Sequence, residues 1–484
     1  MLRTAQGSLD EASFRDVNFL TRGVACFWLV ALSFCFGIVV FWSGQLSYLR
    51  YFVPAAYSAI LFSAWTTARA WHDPFNPLGL ALVVGSVRFF VPGILLLSGV
   101  EPADEARLFF QTMHLSDDDW AWGHALSLIG VLGIILGWLA MQPRSHPAVS
   151  LKFYVSGGVR HASWAGMLVG VLALLAFFLM NASVDVIASG EFRETTIQVG
   201  TGKYFFLTYL LVGGSALLSC DYLARGHKWL SLLPVSVAAM LYWVLGGRGR
   251  AMFPLAVGLL LLWYFTVDKR NWRSKSGTRV SILVAPVIAV VLVWLSYVGS
   301  LYRGGIGSRA FSEGLSLTGL WEYVQGNIFT DLGQLHSLAA AIVIGPGVLS
   351  GHTFYGSLSW PLSAFLPIPG RSAGVFIIET LVGFGKQERW GLNASLIGDA
   401  YLNFGLTAVV LSMLLAGALL KVLYVKFRHG GLHVAIYAIA LFSALQICFL
   451  SIEKWPQALV TMLFTYFLIL IGNMFFQVRH SVSQ

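Results

Sequence analysis

Apolar stretches of about twenty residues recur along this chain from near residue 23 to near residue 477, and no other feature limits its folding as severely. A helix of that length spans roughly the 30 Å hydrocarbon core of a bilayer. The stretches lie near 23–42, 46–65, 78–98, 121–141, 161–181, 204–220, 229–246, 251–267, 280–300, 396–420, 432–450 and 457–477. Only 11% of the 484 residues are charged, against about 25% in a soluble domain, so there is too little polar surface to face water. Soluble enzymes, secreted domains and disordered chains are excluded. The expected fold class is an all-α polytopic membrane protein with about twelve transmembrane helices.

The four cysteines, Cys26, Cys35, Cys220 and Cys448, fall within apolar runs and signal neither a disulfide framework nor a metal cluster. A net charge of +9 suggests nucleic acid in a soluble protein, but here the basic residues are scattered among loops, and no nucleic-acid partner is expected. Arg22 leads directly into an apolar run without a small-residue cleavage site after it, so the first span is read as uncleaved. With twelve spans both termini share one side, and the Lys/Arg bias decides which. With the N-terminus in the cytoplasm, the inner segments hold eighteen basic and six acidic residues, the outer ones twelve and sixteen. The inner loop Asp268–Arg279 alone carries five positive charges. Both ends are therefore expected in the cytoplasm.

The organisation expected is a membrane domain over 1–300, a large outer loop over 301–395 and a second membrane domain over 396–484. A loop of that length is usually functional. It holds Arg303, Arg309 and Arg371, the acids Glu313, Glu322, Asp331, Glu379 and Glu388, and aromatics including Trp321, Tyr323, Tyr355, Trp360 and Trp390. Aromatic faces beside carboxylates and guanidiniums suit sugar rings, whose CH faces stack while their hydroxyls hydrogen-bond. The alternative is a folded cap whose charges only pair with one another. Within the loop, Gly333–Gly351 is apolar but short and broken by Gly345-Pro346-Gly347, and predicts a re-entrant or surface-lying helix. If it spanned fully, Lys421, Lys426 and Arg428 would lie outside.

A second feature is Gly246-Gly247-Arg248-Gly249-Arg250, at the outer junction of the seventh and eighth spans. Glycines admit close backbone approach, guanidiniums grip phosphate bidentately, and the first N–H groups of a helix add positive character. Arg248 and Arg250 suit a lipid-linked diphosphate, or else anchor the span among headgroups. Arg88, midway along the third span, is a functional residue by default or a structural one paired with a carboxylate, for which Asp399 is the candidate. Asp399, beside Tyr401 and Asn403, can also position or deprotonate a sugar hydroxyl. Glu379 lies in the apolar run Val375–Val382, where burial would tune it toward a general base. Either acid can instead serve only to satisfy an arginine. His336 and His352 have no zinc-like spacing, no nucleotide-binding motif is present, and neither a metal nor a cofactor is expected. Asp117, Asp118 and Asp119, near His114, read as a solvated acidic face without a role.

Three segments resemble the oligosaccharide repeat unit polymerases, the O-antigen (Wzy-like) polymerase family. Gly247-Arg248-Gly249 resembles the family's Ser/Gly-Arg-Gly before a helix. Tyr355-Gly356 through Pro367-Ile368-Pro369-Gly370-Arg371 resembles its Tyr-Gly…Ile-Pro-Arg segment, with Gly370 interposed before Arg371. Ser395-Leu396-Ile397-Gly398-Asp399-Ala400-Tyr401-Leu402-Asn403-Phe404-Gly405 resembles its Ser/Thr-x-x-Gly-Glu-x-Tyr-x-Asn-Phe-Gly entry to a span, with Asp399 in place of Glu. Order and spacing agree, and the likeness covers roughly the C-terminal half.

The resemblance implies a membrane glycosyltransferase of C-type fold in the bacterial inner membrane. It would join undecaprenyl-diphosphate-linked repeat units at the periplasmic face, without metal or nucleotide sugar and with a chain-length-regulating co-polymerase as partner. Under that reading Arg248, Arg250, Arg303, Arg309 and Arg371 bind the diphosphate. Tyr355, Trp360, His352 and Tyr401 contact glycan, and Glu379 or Asp399 is the general base. The rival readings are an O-antigen ligase, which passes the same donor to a lipid A core, and a transporter of lipid-linked oligosaccharide. A transporter predicts internal repeats and mid-span charges, of which the chain has chiefly Arg88.

Overall fold

The structure, a computed structural model, describes residues 53–61, 76–97, 113–141, 155–181, 202–244, 248–266, 315–327, 334–355, 373–383, 394–427, 432–450 and 455–482, with isolated positions at 294, 297, 298, 301 and 452. Among the described residues helix is the only regular secondary structure. A helical stretch at 53–61 is followed by α1 (Pro77–Gly85), a π-turn (Ser86–Phe90) and α2 (Val91–Leu97) in unbroken succession. Then come α3 (Asp117–Ala140), α4 (Gly157–Asn181), α5 (Gly202–Leu207), α6 (Tyr209–Ala224), α7 (Leu232–Val244) and α8 (Arg248–Thr266). The remainder are α9 (Leu317–Asn327), α10 (Leu335–Ile344), α11 (Ala373–Leu381), α12 (Leu396–Phe404), α13 (Leu406–Phe427), α14 (His433–Phe449) and α15 (Trp455–Val482). Five helical stretches are long and apolar enough to cross a membrane: Pro77–Leu95, Asp117–Ala140, Gly157–Met180, Leu406–Val425 and Gln457–Met474. The expected spans near 23–42 and 280–300 lie almost wholly outside the described residues.

The outward faces fit lipid. On α4, Trp164, Leu168, Leu172, Leu175 and Leu179 are exposed at helical spacing, as are Leu411, Leu415 and Leu419 on α13 and Leu459, Leu463, Phe467 and Leu470 on α15. Such stripes are untenable against water but cost nothing against acyl chains. The chain is a helical, membrane-embedded protein.

Two apolar cores share one helix. The first gathers 53–60, α1, α3, α12 and α13, with Tyr437, Leu441, Leu445, Cys448 and Phe449 of α14. The second gathers α4, α6, α7, α8 and α15, with Val434, Ala435, Ile436, Ala438 and Ile439 of the same α14.

The α3–α13 seam is built on small residues. A Cβ on Gly137 would lie 2.0 Å from the Leu414 carbonyl oxygen, and one on Gly417 would lie 2.1 Å from that of Ile134. With no hydrophobic force between helices in lipid, close backbone approach supplies the packing energy. Gly133 meets Met413, and Trp138 meets Gly417, Lys421 and Tyr424 further on, so the two helices run parallel. Two parallel membrane-crossing helices require an odd number of crossings in the chain between them.

Two expectations are corrected. The tenth span, expected as one helix from 396 to 420, is two helices: Gly405, at φ 77° and ψ −164°, caps α12 and turns the chain into α13. The acids at 117–119 have a role, since they open α3. There Ser116 Oγ accepts from the Asp119 N–H at 3.3 Å, and the Asp119 carboxylate accepts from the Ser116 N–H at 2.8 Å. This is a capping box, and the carboxylates also complement the helix dipole. The apolar stretch 333–351 holds the short helix α10, which is packed within the protein. Leu335–Ala341 are buried, and Gly123 of α3 comes so close that a Cβ there would be 2.8 Å from the Ala339 nitrogen. Ten residues make a helix of about 15 Å, half a bilayer's thickness.

Replacing Gly137 by leucine is expected to lower the apparent melting temperature in detergent sharply, since overpacking costs roughly 1–3 kcal/mol. Gly157→Ala, where a Cβ meets nothing within 4 Å, should leave it unchanged. Equal shifts for both would refute the close-packed seam.

Candidate functional site

The segment Ser395–Gly405 folds as one short capped helix, and each polar or glycine position in it has a physical job. Ser395 is the N-cap of α12, its Oγ accepting from the Gly398 N–H at 3.4 Å. Gly398 admits Leu338 of α10, which a Cβ would meet at 3.1 Å. Asp399 and Asn403, four residues apart, share one helix face. Ile397 lies against Gly130, so the first turn of α12 sits beside the middle of α3.

That face receives the turn after α10. Gly345, Gly347, Ser350 and Gly351 all have positive φ, at 102°, 76°, 46° and 87°. A run of left-handed positions reverses the chain tightly, and for Ser350 it stores strain that its surroundings must offset. The offset is visible. The Gly347 N–H donates to the Tyr401 carbonyl at 3.1 Å and the Leu349 N–H to the Leu402 carbonyl at 2.9 Å. These are carbonyls of the last turn of α12: that of Tyr401 also accepts from the Gly405 N–H at 2.8 Å, and that of Leu402 lies at the end of the helix, where donors run out.

Beneath the turn lies a buried polar network. Thr353 Oγ1 donates to Asp399 Oδ1 at 2.5 Å, and Asn403 Nδ2 lies 2.9 Å from the same oxygen and 2.5 Å from Thr353 Oγ1. Asp399 is 2% exposed, Asn403 1% and Thr353 1%. The Asn403 amide oxygen is buried without a hydrogen-bond partner among the described residues.

The turn presents His352 and Tyr355 outward, with Tyr355 68% exposed. His352 Nδ1–H donates to the Leu349 carbonyl at 2.6 Å. That bond fixes the tautomer and leaves Nε2 as an acceptor. Tyr401 is half-buried on α12, and Glu379 is half-buried on α11, whose Ala373, Gly374, Ile377 and Ile378 form the buried side. Glu379 thus lies at the border of the apolar face, not within it. α10, α11 and α12 share one small core with Leu349, Ala394 and Met113. His336 is buried on α10, with Nε2 3.2 Å from Ser337 Oγ.

Arg88 sits in the π-turn, and the reason for the irregularity is close by. Pro92 has no N–H to give the Arg88 carbonyl four residues earlier. The Val91 N–H instead reaches back five residues to Ser86, and the Arg88 carbonyl accepts from the Gln334 N–H at 2.8 Å. With the Gln334 amide oriented to satisfy its neighbours, its oxygen accepts from Arg88 Nη1 at 3.0 Å and its nitrogen donates to the Phe449 carbonyl at 2.5 Å. Arg88 thus meets the neutral Gln334 amide, as Asp399 meets the neutral Thr353 and Asn403. The π-turn had no visible signature beyond Pro92, and Thr353 had none.

Arg248 is the first residue of α8. Its side chain, that of Arg250, and the whole of Arg303, Arg309, Trp360 and Arg371 lie outside the described residues. Among the described residues, no group of three His, Cys, Asp or Glu side chains is placed to hold a metal. Comparison of the chain with protein-family models, curated proteins and solved structures finds no match.

Asn403→Leu removes one donor contact to the buried Asp399 carboxylate and another to Thr353 Oγ1. It is expected to destabilise the protein by roughly 1–3 kcal/mol and to speed proteolysis between 345 and 355. Ser412→Ala, which loses only a bond to its own helix at Val409, should do neither. A neutral Asn403→Leu would show that the network does not hold the turn.

Proposed function

We propose that the chain is a membrane glycosyltransferase that polymerises undecaprenyl-diphosphate-linked repeat units at the periplasmic face of the bacterial inner membrane. In this reading it has twelve crossings, one large outer loop and cytoplasmic ends. The observation that carries the proposal is the α10–turn–α12 unit. It is a non-crossing helix and a strained turn, fastened by buried polar bonds in the segment whose sequence resembles the polymerases, with a carboxylate, an imidazole and two phenols around it. The parallel α3–α13 pair supports the topology, because the five spans expected between them are an odd number only if α10 does not cross.

The reaction divides among the groups as follows. A hydroxyl oxygen of the acceptor sugar attacks the anomeric carbon of the donor glycan, with inversion. The bond from that carbon to the lipid diphosphate breaks, and the diphosphate leaves on its lipid with the electron pair. Arg248 and Arg250 at the start of α8, with Arg303, Arg309 and Arg371, receive the negative charge. The hydroxyl proton passes to Glu379, the more accessible of the two candidate acids. Asp399, enclosed by Thr353 and Asn403, is assigned to holding the turn that carries His352 and Tyr355 against the glycan. The unpartnered Asn403 oxygen is an acceptor that a sugar hydroxyl or a water can fill.

Purified protein incubated with a synthetic lipid-diphosphate repeat unit should yield a ladder of products. Arg248→Ala should shorten the ladder severely, since a preorganised donor to a leaving anion contributes roughly a hundredfold or more in rate. No extension by the intact protein, with transfer of the same donor to a lipid A core, would establish the ligase reading instead.

The two acids should separate. Glu379→Gln is expected to reduce turnover by roughly 100- to 10,000-fold at unchanged melting temperature and donor affinity. Asp399→Asn should lower the melting temperature together with activity. Full turnover by Glu379→Gln would remove it as the base.

A further inference from the structure

At one end of the α4–α6–α7 group lies a face that neither the cores nor the proposed reaction uses. Asp221, near the end of α6 and 5% exposed, meets two guanidiniums. Arg225 Nη2 is 3.0 Å from Oδ2 and donates to Oδ1 at 3.1 Å, and Arg160 Nε at the start of α4 is 3.6 Å from Oδ2. Their side chains remain 41% and 33% exposed. Asp221 is the sole acid within 155–181 and 202–244, so Lys228 in the adjoining turn leaves an excess of positive charge.

That turn is rigid. The His227 N–H donates to the Tyr222 carbonyl at 2.9 Å, the Gly226 N–H to Leu223 at 3.0 Å and the Ser231 N–H to His227 at 3.1 Å. It holds His227, Lys228 and Trp229 outward, with Trp229 83% exposed. Below the indole, Leu233, Val237 and Met240 are exposed a turn apart along α7. Cations, then an indole, then an apolar stripe is the layering of a phospholipid read from headgroup to chain.

We propose that Arg160, Arg225, His227, Lys228 and Trp229 form a binding site for an anionic phospholipid, whose phosphodiester meets the cations while an acyl chain lies along Leu233, Val237 and Met240. A zwitterionic lipid brings its own cation into the same space and is disfavoured by the net positive charge, which selects the anionic one. The site rests on residence in the membrane and is independent of the proposed reaction.

The test reads Trp229 as the difference in fluorescence between the protein and its Trp229→Phe variant in bilayers. Brominated phosphatidylglycerol should quench this signal more than brominated phosphatidylcholine at equal mole fraction, and added salt should weaken the difference. Lys228→Gln, outside the Asp221 ion pairs, should reduce the preference about fivefold, and Lys228→Gln with Arg225→Gln further. Equal quenching by both lipids would overturn the site, as would a preference unchanged in Lys228→Gln. A prenyl diphosphate that displaces phosphatidylglycerol at equal mole fraction would overturn the assignment to bulk phospholipid.

Discussion

Inside a bilayer a backbone amide that loses its helical partner has no water to turn to, and the irregular parts of this protein are arranged around that fact. Each break occurs where another segment supplies the missing bond. Pro92 deprives the Arg88 carbonyl of its donor, and the Gln334 N–H replaces it. α12 stops at Gly405, and the Leu402 carbonyl at its end takes the Leu349 N–H, while the Gly347 N–H joins that of Gly405 on the Tyr401 carbonyl. Both repairs come from 334–349, the start and the sequel of α10. A helix too short to cross is stable here because it closes the ladders of its neighbours while they bury its sides.

The same economy concentrates chemistry. Buried polar groups such as Asp399, Thr353 and Asn403 are costly singly and are stabilised by bonding to one another. They are found where the backbone is already broken and a turn must be held. The regular helices around them are joined by glycines and apolar side chains and carry little that could react. A lipid-linked substrate would find reactive groups at this junction, with its carrier in the bilayer alongside.

Much of the architecture was legible in sequence because hydrophobic length is a direct physical requirement. The runs near 121–141, 161–181, 432–450 and 457–477 became α3, α4, α14 and α15 within a few residues. What escaped was decided by single residues acting on the backbone. Gly405 lies within an apolar run whose hydropathy continues straight through it, so the division into α12 and α13 was invisible to length. The Ser116–Asp119 capping box was legible by its spacing but was overlooked because three adjacent acids resemble a solvated surface. Of the site residues, Asp399 and Tyr355 were found through the segments that resemble the polymerases, and His352 as a glycan contact that the resemblance implies. Thr353 was missed because a threonine in a loop carries no pattern, and its partner is 46 residues away.

α14 has one further consequence. Val434, Ala435, Ile436, Ala438 and Ile439 belong to one core, while Tyr437, Leu441, Leu445, Cys448 and Phe449 belong to the other. It is a party wall, with no slack layer on either side. A displacement imposed on α7 or α8 reaches α3 and α13 through a single thickness of side chain, so the two halves should melt as one cooperative body and not in succession.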